Sequence, residues 1–131
     1  SRSWAGFAFE NLCIKHVGRL KSALGLAMVE TEEGPWYYKP VKDSGIPGTQ
    51  IDLLIDRRDA TINICEMKFS EGLFTIDKKY AGELRSKIDV FRKATGSRKN
   101  LFLTMITTFG MSENDYSREL VQSSLILNDL F

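Results

Sequence analysis

Two short apolar runs, each with an acid inside it, constrain this chain more than any other feature. Ile51-Asp52-Leu53-Leu54-Ile55 and Ile62-Asn63-Ile64-Cys65-Glu66-Met67 are rich in β-branched residues, and only the polar Asp56-Arg57-Arg58-Asp59-Ala60 and Thr61 separate them. Strand-forming runs joined by so short a polar link pair as an antiparallel hairpin. Side chains two apart share a strand face. Ile62, Ile64, Glu66 and Lys68 therefore point one way and Asn63, Cys65, Met67 and Phe69 the other. Asp52 falls on the face of Leu54 and Asp56. The acids need an explanation, because an uncompensated charge in a central hairpin is strongly destabilising.

The rest of the chain supplies a frame for the hairpin. Residues 4–29 read as one helix, with Trp4, Phe9, Cys13, Val17, Leu20 and Leu24 in an apolar stripe and Ser3 as N-cap. Residues 30–35 read as a polar turn. Trp36-Tyr37-Tyr38 reads as a short strand stopped by Pro40, and residues 42–48 as a loop. A second long helix is expected over 77–94, capped by Asp77 and ended by Gly96, with Tyr80, Leu84, Lys87, Ile88 and Phe91 on one stripe. Asn100 to Thr108 reads as a buried strand, 115–123 as a short helix, and Leu125-Ile126-Leu127 as a final edge strand. A helix between two strands usually makes a right-handed parallel crossover. The expected fold is therefore α/β: a mixed central sheet, antiparallel hairpin plus parallel crossover, flanked by helices in three layers.

Composition narrows the functional classes. A chain of 131 residues, 43% hydrophobic and 27% charged, is one ordinary globular domain. A net charge of +1 excludes a strongly basic nucleic-acid binder. Charge is uneven, however. Between Lys78 and Lys99 eight basic residues meet only Glu83 and Asp89, whereas after Ser112 four acids meet only Arg118. The single histidine, His16, argues against a Ser-His-Asp or Cys-His triad and reads as a core or surface residue. Cys13 and Cys65 sit in apolar runs without further cysteine ligands, so free thiols in a reducing, cytoplasmic setting are expected rather than zinc. No apolar run reaches the ~18 residues that span a bilayer, and no signal peptide is visible. The start at Ser1, without methionine, suggests a fragment of a longer protein.

Two arrangements satisfy the hairpin acids. Lys68 can neutralise Glu66 or Asp52, or both acids can share a divalent cation. Two carboxylates ~4 Å apart repel by about 4 kcal/mol at an effective dielectric of ~20. Mg²⁺ converts that repulsion into coordination, taking a few carboxylates plus water and substrate phosphate. A lysine beside such an ion can orient the attacking water or stabilise charge on the phosphate.

Gly48-Thr49-Gln50-Ile51-Asp52, thirteen residues, and then Glu66-Met67-Lys68 resembles the signature of the PD-(D/E)XK nuclease superfamily, with Ile51 where the name has proline. The stretch Ile51 to Lys68, with Lys78-Lys79-Tyr80, is similar to one branch, the nuclease-like domain at the C-terminus of prokaryotic AAA-type ATPases. The resemblance runs from about Trp4 to Thr108. It implies a restriction-endonuclease-like fold and Mg²⁺- or Mn²⁺-dependent hydrolysis of DNA. Asp52, Glu66 and Lys68 would be catalytic, and Glu10, Asp52 and Glu66 the metal ligands. It further implies that Lys78, Lys79 and Tyr80 meet nucleic acid, that an ATPase domain shares the parent chain, and that a homodimer is a natural assembly. The alternative is a catalytically silent module that binds nucleic acid or a partner under control of the fused ATPase. No GxxxxGK[ST] motif is present, so any ATP site lies elsewhere.

Each of these residues also has a plainer reading. Glu10 is an acid near a helix N-terminus, where negative charge is favourable. Lys78 and Lys79 can be solvated, Tyr80 can be core, and Gln50 can bond the sheet edge. Trp36, Tyr37 and Tyr38 can stack bases or pack a strand.

Overall fold

A computed structural model of the chain describes residues 3–131. The hairpin forms where the alternation puts it: β2 (Thr49–Arg57) pairs antiparallel with β3 (Thr61–Lys68). Its turn holds Ala60 at φ 65°, and Arg57 closes it with hydrogen bonds of 2.8 and 2.6 Å to the Asp59 carboxylate. The edge strand β1 (Thr31–Tyr38) adds antiparallel to β2. β4 (Asn100–Thr107) and β5 (Ser123–Ile126) extend the other side in parallel, giving a five-stranded sheet in the order β1-β2-β3-β4-β5.

Helices cover both faces, as the three-layer α/β expectation requires. α1 (Trp4–Lys15) and α2 (Val17–Ala23) pack Phe9, Cys13 and Leu20 against Leu53, Ile55, Cys65 and Met67. On the opposite face α3 (Lys78–Thr95) packs Ala81, Leu84 and Phe91 against Ile62, Ile64, Leu103 and Met105. α3 is the crossover between β3 and β4, and α4 (Asp115–Leu120) the crossover between β4 and β5. The Asp77 side chain caps the start of α3, and Gly96, at φ 67°, supplies the left-handed residue that ends it.

Four local readings change. The expected single helix over 4–29 breaks at His16, whose ring nitrogen lies 2.9 Å from the Leu12 carbonyl, and α2 ends at Ala23. Trp4 leaves the apolar stripe and is 83% exposed. Residues 31–35, read as a turn, are the polar beginning of β1, an edge strand with little apolar signal of its own. The expected helix over 115–123 stops at Leu120 because Gln122 bonds Leu103 through both its backbone and its side chain, starting the parallel pairing of β5.

The most consequential departure lies inside β2. The β1–β2 register runs from Gly34 opposite Leu54 directly to Trp36 opposite Ile51. Asp52 and Leu53 thus share the place opposite Pro35 alone, which is a β-bulge. Proline has no N–H to give a ladder, so an edge-strand proline accommodates the extra residue readily. The bulge resets the alternation. Ile51 and Leu54 join the α3-side core while Leu53 joins the α1-side core. Asp52 is therefore separated from the face of Leu54, and it opens toward α1 beside Glu10 and Gln50.

Candidate active site

The backbone ladder between β2 and β3 ends at the Leu53–Cys65 pair, although β2 starts at Thr49 and β3 runs on to Lys68. Beyond that point side chains replace it. The Met67 N–H donates to Asp52 Oδ2 at 2.9 Å, and the Asp52 N–H donates to Glu66 Oε2 at 3.2 Å. Each acid thus satisfies a backbone group of the opposite strand, and the two are interlocked where the strands part.

A polar cleft of about 490 Å³ opens at this parting. Asp52 and Gln50 line it from β2, Glu66 and Lys68 from β3, Ser3, Gly6 and Glu10 from the start of the chain and α1, and Lys87 from α3. Four residues singled out from the sequence, Glu10, Asp52, Glu66 and Lys68, therefore meet in one cavity. Gln50 joins them.

The pairing within the cleft differs from the sequence expectation. Lys68 does not take the partner role for Glu66. Lys87, 21 residues further along the chain, donates to Glu66 Oε1 at 2.6 Å. The Lys68 ammonium instead sits 4.7 Å from the centroid of the Tyr80 ring. Lys87 escaped the sequence reading as a site residue, though one signal was available. It stands on the inner stripe of α3 among Tyr80, Leu84, Ile88 and Phe91, where a lysine needs an acid to meet.

Glu66 is almost wholly buried. Burial pushes its carboxyl above the ordinary carboxylate range, the Asp52 carboxylate pushes it further, and Lys87 opposes both. Tyr80 forms the platform under Lys68. Its ring meets Phe74 edge-on at 5.5 Å, and its buried hydroxyl has no hydrogen-bond partner among the described residues. Burial, then the negative charge of Glu66 and of Asp52, drives the phenol upward. Lys78 and Lys79 are exposed at the start of α3 and are not among the residues lining the cleft. Trp36 packs edge-on against Phe91 of α3 at 5.0 Å, so it is a core residue, whereas Tyr37 on the opposite face is 67% exposed. Cys13 and Cys65 are free and buried.

Among the described residues, no three His, Cys, Asp or Glu side chains are grouped closely enough to hold a metal by themselves. The cleft does offer hard oxygen donors from Asp52 and Glu66, with room for water and phosphate beside them. That donor set fits Mg²⁺ or Mn²⁺, ions that keep several waters and take one or two carboxylates.

No protein-family model matches this chain, and no curated protein matches it. A solved structure described as the crystal structure of the protein of unknown function AF1548 is similar in fold, with a TM-score of 0.52 and 19% sequence identity. The match covers 84% of this chain and 55% of that one, so this chain spans about half the length of its structural neighbour. No helix among the described residues is long and apolar enough to cross a membrane.

Proposed function

We propose that this domain is a metal-dependent nuclease of the PD-(D/E)XK kind, hydrolysing phosphodiester bonds of DNA. The observation that carries this reading is the interlocked Asp52–Glu66 pair at the parting of β2 and β3, in a polar cleft that also holds Lys68 and Glu10. Asp52 and Glu66 would hold a Mg²⁺ or Mn²⁺ ion completed by water and phosphate, and Glu10 of the facing helix lines the same cleft. When bound, such ions activate water and polarise phosphate. Lys68, steadied on the Tyr80 ring, orients the water or stabilises the developing negative charge. Lys78 and Lys79, at the solvent end of α3, attract the phosphate backbone. Water is the nucleophile, so no covalent enzyme intermediate forms. The free buried thiols suit a reducing cytoplasm. By the resemblance of Ile51 to Lys68, the parent chain would carry an AAA-type ATPase and a homodimer would cut the two strands.

The test is cleavage of labelled DNA by the purified domain with Mg²⁺ or Mn²⁺. Wild type cleaves, and Asp52→Asn and Lys68→Ala each lose on the order of 100-fold or more. Cleavage that survives both substitutions removes this assignment. A second reading, a silent module that binds nucleic acid or a partner under ATPase control, is favoured by one observation: Lys87 already neutralises Glu66. Duplex binding without cleavage under either metal supports it.

A further inference from the structure

We propose that Lys87 is the resident cation of the site and competes with a divalent metal ion for Glu66. This inference rests on the metal-dependent reading above and adds a mode of regulation to the same cleft.

Glu66 sits at the centre of the charge balance in the cleft. Its side chain is 2% exposed, and its two oxygens are engaged, Oε2 by the Asp52 N–H and Oε1 by the Lys87 ammonium. A carboxylate this buried, next to a second carboxylate, requires a positive charge at contact distance. Lys87 supplies it at 2.6 Å. Lys68, the nearer lysine in sequence, is held at the Tyr80 ring.

The two partners differ in freedom. Glu66 is fixed on a central strand, bonded to its neighbour's backbone. Lys87 keeps 21% of its side chain exposed, and both residues line the cleft. A lysine is a compact charge on a flexible four-carbon stem. Lys87 can therefore release Oε1 and turn its ammonium into the cleft without disturbing the sheet. A divalent cation approaching Glu66 meets the Lys87 ammonium at contact distance, so like-charge repulsion favours that release as the metal binds. The resting site is neutralised from within, and metal affinity is lowered by the strength of the Lys87–Glu66 pair. Once released, the ammonium lies in the same cavity as Lys68, where it meets a phosphate entering beside Asp52.

The test is calorimetric titration of Mn²⁺ alone into the purified protein, with thermal melting in the presence and absence of Mn²⁺. Lys87→Met is expected to bind Mn²⁺ about 10-fold more tightly than wild type and to gain more in melting temperature from it. Lys87→Arg, which keeps the charge and the hydrogen bond, is expected to stay within about 3-fold of wild type. If Lys87→Met does not fold, Lys87→Gln carries the same comparison with a neutral hydrogen-bonding side chain. A folded neutral variant that binds Mn²⁺ no more tightly than wild type, while Asp52→Asn abolishes binding in both, overturns the competition and leaves the metal reading intact. Absence of Mn²⁺ binding in wild type and in every variant overturns both.

Discussion

At the residue scale, Asp52 does with its side chain what the neighbouring residues do with their backbones. Its carboxylate accepts the Met67 N–H across strands that no longer pair. The two obvious substitutions therefore separate structure from chemistry. Asp52→Asn keeps an acceptor oxygen for Met67, whereas Asp52→Ala leaves that N–H without one. In urea titrations Asp52→Ala is expected to be less stable than Asp52→Asn by about 1–3 kcal/mol, while both lose cleavage alike. Equal stability of the two would show that the Met67 bond contributes nothing. The grouping of Asp52, Glu66 and Lys68 on one hairpin was legible because the two runs are adjacent in sequence, although the face of Asp52 is set by the bulge rather than by alternation. Lys87 was not, because its partner is fixed by tertiary packing of α3 on β3.

The two thiols give a second prediction at this scale. Cys13 is raised by burial first, then by Glu10 and Asp52, from 9.0 to about 12, and Cys65 is raised further by burial and by Glu66. Below the ordinary thiol value both states of the protein hold the proton, and the contribution is complete. Between 9.0 and about 12 the unfolded Cys13 ionises while the folded one does not, so stability falls as pH rises. The slope is at most about 1.4 kcal/mol per pH unit for each thiol. Lysines and tyrosines titrate there too, so the diagnostic quantity is a difference. Cys13→Ala is expected to lose less stability than wild type between those limits. Parallel stability curves for the two proteins would remove Cys13 as the cause.

At the element scale, the site depends on one irregular strand. Pro35 in β1 faces the doubled Asp52-Leu53 in β2, and this bulge turns Asp52 out of the face that simple alternation assigns it. Period-two reading was reliable for β3, where the register with β4 runs unbroken from Thr61 to Lys68, and it failed in β2 at the one point where the register slips. The ends of α3 were legible from Asp77 and Gly96 because capping is local chemistry. The start of β1 and the end of α4 were not, because sheet pairing decides them. The sheet also carries a polar chain that the sequence hides. Arg57 donates to Asn63 at 3.1 Å, Asn63 donates to Thr104 at 3.0 Å, and Thr104 meets Ser123 at 2.8 Å. Asn63 and Thr104 are buried, so Asn63→Ala removes bonding partners from Arg57 and Thr104 together. We expect a loss of roughly 1–3 kcal/mol in denaturant titration. A loss below about 0.5 kcal/mol, the range of ordinary surface changes, would deny the chain any part in stability.

At the scale of the whole molecule, charge arithmetic and charge geometry give different pictures of DNA binding. Eight basic residues between Lys78 and Lys99 look like a footprint for a phosphate backbone. Folded, half of them already meet carboxylates: Arg85 with Glu119, Lys87 with Glu66, Lys93 with Asp89 and Lys99 with Asp56. Arg92 donates to the carbonyls of Ser97 and Lys99 at the end of α3. Lys78, Lys79 and Arg98 remain as the cations of this stretch with the best claim on phosphate. Each phosphate neutralised on duplex DNA contributes about −0.9 to the slope of log affinity against log salt. Three contacts give a slope of about −3, and eight would give about −7. Fluorescence anisotropy across a salt series is therefore expected to show weak binding with a slope near −3. Replacing both Lys78 and Lys79 with glutamine is expected to remove about two units of it. A wild-type slope near −7 would mean that the internal ion pairs open on DNA, and an unchanged slope in the double variant would place the phosphate contacts away from the start of α3.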